Sequence, residues 1–181
     1  MLIILGGFLG TGRKSLARAF SERYGYHYYD MDQKRFRVYA RMRDGTVRER
    51  LQRPHTDNAR MHLCRRVLED FPLLSKIYPD TVMSNAFHRE KPRGYFLTQA
   101  SQYSNPVIFM WIESSESLVS KRLADMKERG MIASIWGAKR RREKMRAEFE
   151  PFEQKPFIFE HGESDAASAD RLWELVNASR P

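Results

Sequence analysis

Gly7-Phe8-Leu9-Gly10-Thr11-Gly12-Arg13-Lys14-Ser15 constrains the fold more than any other stretch of this chain. It follows the apolar run Met1 to Leu5 and leads into the helix-forming run Leu16-Ala17-Arg18-Ala19-Phe20. An apolar strand, a glycine-rich loop and a helix in that order build a cradle for a phosphate group. Glycines let consecutive backbone N–H groups turn inward without a Cβ in the way. The helix that follows directs its positive end at the same anion.

Gly7 and Gly12 have the spacing of the two outer glycines of a P-loop, where Lys and then Ser or Thr should follow. Here Arg13 stands in the lysine position and Lys14 in the hydroxyl position, with Ser15 one residue late. Two arrangements are open. Either Arg13 replaces the lysine and Mg²⁺ loses its direct hydroxyl ligand, or a one-residue bulge lets Lys14 and Ser15 serve. The plain alternative is a glycine-rich turn that holds no ligand.

With 181 residues, 41% hydrophobic and 12% aromatic, the chain is long and apolar enough for one globular domain with a true core. No apolar run approaches the roughly 20 residues of a membrane span. The first residues lack a basic segment ahead of the apolar run, which reads against a signal peptide. A single cysteine, Cys64, excludes an internal disulfide and suits a reducing compartment, hence a cytoplasmic location. His62 and Cys64 lack metal-ligand spacing and read as ordinary helix residues.

The charge is uneven. Lys and Arg number 32 against 23 Asp and Glu, giving +9. From Gln33 to Arg66, eleven bases face three acids, a net of +8; from Lys121 to Glu148, ten face four, a net of +6. The rest of the chain is therefore net −5. Such a balance points to an anionic partner, either nucleic acid or a phosphorylated metabolite.

Periodicity predicts strands at Met1–Leu5, His27–Tyr29, Thr81–Phe87, Val107–Ile112 and Phe157–Phe159. It predicts helices over Lys14–Tyr24, ending at Gly25, and over Gln33–Arg43, with Phe36, Val38, Tyr39 and Met42 as its apolar side and Asp44-Gly45 as its break. Further helices are expected over Thr56–Phe71 after Pro54, Arg93–Tyr103, a segment capped by Ser114 or Ser115 and stopping at Gly130, Ala138–Phe149 and Ala166–Ala178. Pro72 and Pro79 should mark the exit from the third helix, and Trp136-Gly137 should lie in a loop. Alternating strands and helices imply an α/β fold, a mostly parallel five-stranded sheet covered on both faces. Ligands in such sheets sit beyond the strands' carboxyl ends. That gathers the glycine loop, Asp30, Asp32, the loop after Phe87 and the residues after Glu160 around one crevice.

The parts for phosphoryl transfer are then present: a cradle, cations, Mg²⁺ sites and a carboxylate to orient the acceptor. Arg13 or Lys14 would grip the β- and γ-phosphates. In an extended segment Asp30 and Asp32 would both face the crevice, one holding Mg²⁺ through water and the other acting as base. An N-terminal helix signal ahead of Gln33 is the competing reading of Asp-x-Asp.

Gly-x-x-Gly-x-Gly followed by a basic residue resembles the loop of the small P-loop kinases of shikimate, gluconate and nucleotides. Tyr29-Asp30-Met31-Asp32-Gln33 resembles the second-strand Asp-x-Asp of shikimate kinases. Phe87-His88-Arg89-Glu90-Lys91-Pro92-Arg93 is similar to the basic substrate segment of gluconate kinases, and Arg122-Leu123 with Arg129-Gly130 to the helix entering their lid. Lys144-Met145-Arg146-Ala147-Glu148-Phe149-Glu150-Pro151 resembles the segment after that lid. The resemblance implies ATP and Mg²⁺ as cofactors, with Gly7, Gly10, Thr11, Gly12, Arg13, Lys14, Ser15 and Leu16 on the nucleotide. Ser15 and Asp30 would serve the metal. Asp32, Asp30, Arg13, Lys14, Arg122 and Arg129 would be catalytic, and Asp32, Arg35, Arg89 and Arg93 would hold the acceptor. It also implies a single domain over residues 1–181, with a helical acceptor-binding insert at 33–72 and a lid at 127–146; Arg140, Arg141 and Arg142 are further lid candidates.

Two departures stand out. No glycine cluster follows the third strand, and the 33–66 stretch is very basic for a neutral metabolite. The basic insert favours a hydroxyl on a nucleic acid or nucleotide as acceptor, with Tyr39, Phe36 and His55 available to stack on a base. The kinase of 5-hydroxymethyluracil in phage DNA is one family of that kind, and a phage origin would make the compartment the host cytoplasm. Polynucleotide 5′-hydroxyl kinases are another. A metabolite kinase similar to gluconate or shikimate kinase is the alternative, and a non-catalytic nucleotide-binding module the third reading.

Overall fold

The computed structural model describes residues 1–40, 57–153 and 156–179, with only the backbone of residues 36 and 38–40. The expectations for Met42, Asp44-Gly45, Pro54 and His55, and for the side chains of Phe36, Val38 and Tyr39, lie outside the described residues.

Five strands form one sheet: β1 (Leu2–Gly6), β2 (His27–Asp30), β3 (Thr81–Ser84), β4 (Val107–Glu113) and β5 (Phe157–Glu160), in the order β2-β3-β1-β4-β5. Every pair is parallel. β1 is central and buried throughout, as its unbroken apolar run requires. Its side chains alternate between two cores. Ile3 and Leu5 join Leu16 and Phe20 of α1 (Arg13–Tyr24) and Leu172 and Val176 of α8 (Asp165–Ala178). Leu2 and Ile4 join Leu63 and Val67 of α3 (Asp57–Leu68), Phe71 of α4 (Phe71–Ile77) and Phe96 of α5 (Glu90–Ala100). α6 (Glu116–Glu128) and α7 (Ile135–Ala147) meet around Val119, Leu123 and Ala138. Burial of these side chains is what holds the helices to the sheet, at about 1.5–3 kcal/mol for each large apolar side chain.

Several local expectations shift. Pro72 does not end a helix but sits in the first turn of α4, where its missing N–H costs nothing. Trp136-Gly137 is not a loop: Ser134 caps α7 by accepting from Gly137 N, so both residues fall in its first turn. Ser115 caps α6, and Ser114 turns elsewhere. β3 ends at Ser84, and α5 starts at Glu90 rather than Arg93.

α2 (Met31–Ala40) begins two residues before Gln33, because Asp30 Oδ1 accepts the backbone N–H groups of Asp32 and Gln33 at 2.9 and 3.3 Å. Asp30 therefore closes β2 and caps α2, while Asp32 lies in the helix's first turn instead of an extended segment. The strand register aligns the carboxyl ends: Asp30 pairs with Ser84, Leu5 with Ser84, Gly6 with Trp111 and Glu113 with Glu160.

Candidate functional site

The glycine loop leaves β1 at this common edge. Gly7 N donates to Ala86 O at 3.2 Å, and Leu16 N to Gly12 O at 2.9 Å, the regular first bond of α1. There is no bulge. Arg13 thus occupies the lysine position of the P-loop and Lys14 the hydroxyl position. Gly12 has φ +79°, and a Cβ there would stand 2.5 Å from His161 Nδ1, so no other residue fits without displacement.

The carbonyls of residues 7, 8, 9 and 11 find donors behind the loop. Arg13 donates to Gly7 O at 3.0 Å and Phe8 O at 2.9 Å. Arg142, buried on α7, donates to Leu9 O at 2.9 Å and reaches Glu116 at 2.9 Å, holding that carboxyl below its ordinary range. Thr11 O receives Arg122 at 3.0 Å and the His161 ring at 2.9 Å, and Ser114 Oγ, whose single proton lies between Thr11 O at 3.1 Å and His161 O at 2.9 Å, stands against it. Arg122 continues to Ser114 Oγ at 2.8 Å and Gly162 O at 2.5 Å. Because a trans peptide sets its N–H opposite its C=O, a Thr11 carbonyl held from behind aims the Gly12 N–H forward. Three arginines from three helices fix the cradle's shape. Burial lowers the affinity of the Arg13 and Arg122 guanidinium groups for their protons, yet arginine remains charged in either case.

The carboxylates converge from β2 and α2. Lys14 Nζ lies 3.3 Å from Asp30 Oδ2 and 3.0 Å from Asp32 Oδ2. Arg18 reaches Asp30 at 3.7 Å, and Arg35 reaches Asp32 Oδ1 at 3.3 Å. Burial pushes the Asp32 carboxyl up, but Arg35, Lys14 and Arg13 outweigh it and hold the group below the usual carboxylate range. Asp32 is a carboxylate at neutral pH.

After β3, Arg89 pairs with Asp57 and with Glu150, both at 2.9 Å, and Arg60 joins Asp57 at 3.1 Å and Glu148 at 3.2 Å. Arg93 is buried and donates to Phe87 O at 2.9 Å, Glu150 O at 3.1 Å, Pro151 O at 2.8 Å and Glu90. It bolts α5 to the segment after α7. Arg129 is exposed and paired with Asp125 at 2.9 Å. Of the residues singled out by sequence, the structure gathers Gly7, Gly10, Thr11, Gly12, Arg13, Lys14, Ser15, Asp30, Asp32, Arg35 and Arg122, while Leu16 turns its side chain into the core and its N–H to Gly12 O. Arg89, Arg93 and Arg129 face other protein groups.

Sequence reasoning assigns Arg122 to a phosphate, whereas the structure sets it on backbone carbonyls; the same reasoning offers Ser114 only as a helix cap, places the residues after Glu160 at the crevice without singling out His161, and does not single out Asp165. His161 follows β5, is wholly buried, and sets Nε2 2.9 Å from Asp165 Oδ1. His161 and, with a smaller effect, Ser15 hold the Asp165 carboxyl low. The rule that ligands gather beyond strand ends does point to this loop; nothing in its composition marks the histidine.

A P-loop ordinarily holds Mg²⁺ through the hydroxyl after its lysine. Here that position carries an ammonium, and the Ser15 hydroxyl donates to Gly12 O at 2.8 Å. These residues do not fit a protein-held Mg²⁺.

No family model matches the chain, and no curated protein matches it in sequence. Solved structures do resemble it. A sugar kinase from Janibacter sp. HTCC2649 matches with TM-score 0.66 and 14% identity, over 98% of this chain and 95% of that one. A gluconokinase from Sinorhizobium meliloti 1021 matches with TM-score 0.62 and 18% identity, over 98% and 97%. The APS kinase of Mycobacterium tuberculosis, in complex with AMPPNP and APS, matches with TM-score 0.65 and 12% identity, over 97% and 96%. An all-parallel five-stranded sheet with a glycine loop after its central strand, shared over nearly the full length with these proteins, gives the chain the fold of the small P-loop kinases.

Proposed function

We propose that this protein is an ATP-dependent phosphotransferase with a hydroxyl acceptor. One observation carries the reading: Lys14 and Asp32 meet 3.0 Å apart at the mouth of a glycine loop whose carbonyls at residues 7, 9 and 11 are held from behind. The N–H groups of residues 8–10 and of residues 12–15 at the start of α1 take the triphosphate. Lys14 is the cation for the β- and γ-phosphates, since Arg13 is engaged with Gly7 O and Phe8 O. Asp32, already ionised, orients the acceptor hydroxyl and takes its proton as the phosphoryl group leaves ATP. Residues 127–146 act as a lid, and Arg142 of that segment registers it on the loop at Leu9 O.

A small anionic acceptor fits best. Arg60 and Arg89 stand across the crevice on carboxylates of Asp57, Glu148 and Glu150, which an incoming anion would replace. The fold's sugar, gluconate and APS kinases support that class. A second reading, a hydroxyl of a nucleic acid or nucleotide such as 5-hydroxymethyluracil in DNA, is favoured by Trp136. This ring is 71% exposed on the basic α7 with Arg140 5.5 Å from its centroid, as a base-stacking platform requires. No helix among the described residues is long and apolar enough to cross a membrane.

The test is transfer of labelled γ-phosphate from ATP to a sugar-acid panel, nucleosides, plain oligonucleotides and hydroxymethylated duplex DNA, across a salt series. Label on a small acid at all salts supports the first reading. Label on DNA that falls steeply with salt supports the second. No label on any acceptor contradicts both.

A further inference from the structure

We infer that the Lys14 ammonium takes the electrostatic place that a protein-held Mg²⁺ has in other P-loops, so that nucleotide binding here leans on Lys14 rather than on a divalent ion. The inference rests on the nucleotide reading above and goes beyond it. α1 starts in regular register from Gly12, so Lys14, and not a hydroxyl, is delivered to the metal-facing position. Its Nζ stands between the two carboxylates available to a hydrated ion, 3.3 Å from Asp30 and 3.0 Å from Asp32.

The local charge is already more than balanced. Asp30 and Asp32 carry two negative charges; Lys14, Arg18 and Arg35 reach them directly, and Arg13 lies close enough to lower the Asp32 carboxyl. The protein itself therefore offers no surplus negative charge to a divalent cation, and an ion brought by the triphosphate beside Asp32 would meet an ammonium at close range. Asp30 Oδ1 is further engaged in capping α2. The alternative hydroxyl, Ser15, donates back to Gly12 O and lies toward Asp165. Lys14 itself keeps 39% of its side chain exposed, so it stays open to a ligand from the crevice, while the half-buried Arg13 is engaged with Gly7 O and Phe8 O. An ammonium at this place contacts the phosphate oxygens directly, without a metal between them.

The experiment measures binding of the β,γ-imido analogue of ATP by calorimetry, with excess Mg²⁺ and with EDTA, for the wild type, Lys14→Ser and Lys14→Arg. The dissociation constant of the wild type should change by no more than about threefold when metal is removed, and that of K14R likewise. K14S should bind about tenfold more weakly or worse in EDTA and recover with Mg²⁺, because the new hydroxyl can ligate the ion. Thermal melts of all three check folding, and the wild type and K14R in the two buffers decide the matter if K14S fails to fold. A wild type that loses about tenfold or more in EDTA, or a K14S that matches it in both buffers, overturns the inference while leaving the nucleotide site intact. Absence of analogue binding by the wild type in either buffer contradicts the nucleotide reading itself, and the inference with it.

Discussion

His161 sets its Nδ1 2.9 Å from the carbonyl oxygen of Thr11, 150 residues earlier in the chain, and so ties the loop after the edge strand β5 to the middle of the glycine loop. An imidazole nitrogen facing a carbonyl carries the proton, and the ring's other nitrogen faces Asp165 at 2.9 Å. Arg122 completes the grip on the same oxygen, and Ser114 stands against it. Arg122 is in this arrangement a residue that shapes the loop.

Loss of that grip should be felt first by the nucleotide. His161→Ala should weaken ATP binding by about tenfold and lower stability by about 1–3 kcal/mol, as expected for removing one partner of a buried polar pair. His161→Gln, able to donate to the same carbonyl, should recover part of the binding. Calorimetry and thermal melts check both. A His161→Ala protein with the wild-type affinity would show that the bond only packs β5.

Gly12→Ala should be more severe. The substituted residue would have to hold φ +79° and place its methyl 2.5 Å from the buried His161 ring. A destabilisation of about 1–3 kcal/mol is expected from the backbone alone, with nucleotide binding lost. A chemical melt together with the binding assay measures the two effects separately.

His88 predicts an acid limb of stability. Burial, with Arg60 adding to it, pushes the ring down to about 4, while Glu148 3.6 Å away offsets this in part. The ring is neutral when folded at pH 7 and is protonated more readily in the unfolded chain, whose histidine titrates near 6.5. Its contribution is therefore complete above about 6.5 and is lost as pH falls toward 4, on the order of 3 kcal/mol in all. Nearby carboxylates titrate too, so the wild type should be compared with His88→Gln. The variant should have a shallower fall in melting temperature between pH 7 and 5; equal slopes would contradict the account.

Much of this is legible in the sequence because the signals are local. The apolar run before Gly7, the turn at Gly25 and the periodicity of Val107–Ile112 each specify an element from neighbouring residues, and all five strands stand where that pattern puts them. The glycine loop between β1 and α1 is legible for the same reason. What the sequence does not disclose depends on long-range partners. Arg13 and Arg142 look like phosphate-gripping or surface cations until the fold brings carbonyls of residues 7–9 within reach. Arg93 resembles a substrate arginine until the segment after α7 closes over it at Glu150 and Pro151. Asp30 and Asp32 suggest an extended pair, whereas the capping bond of Asp30 starts a helix between them. A lone histidine after a short strand carries no mark of its role until Thr11 is placed against it.

The central claim is that Asp32 and the glycine loop form one phosphoryl-transfer site. The most direct measurement is γ-phosphate transfer together with ATP binding in wild type and Asp32→Asn. Because Arg35, Lys14 and Arg13 keep Asp32 ionised well below neutrality, wild-type transfer should show no limb from this group between about pH 6 and 8. Asp32→Asn should lose about a hundredfold or more in transfer, with ATP affinity within about threefold of wild type. Near-normal transfer by the variant would contradict the account and reduce Asp32 to a helix-start residue.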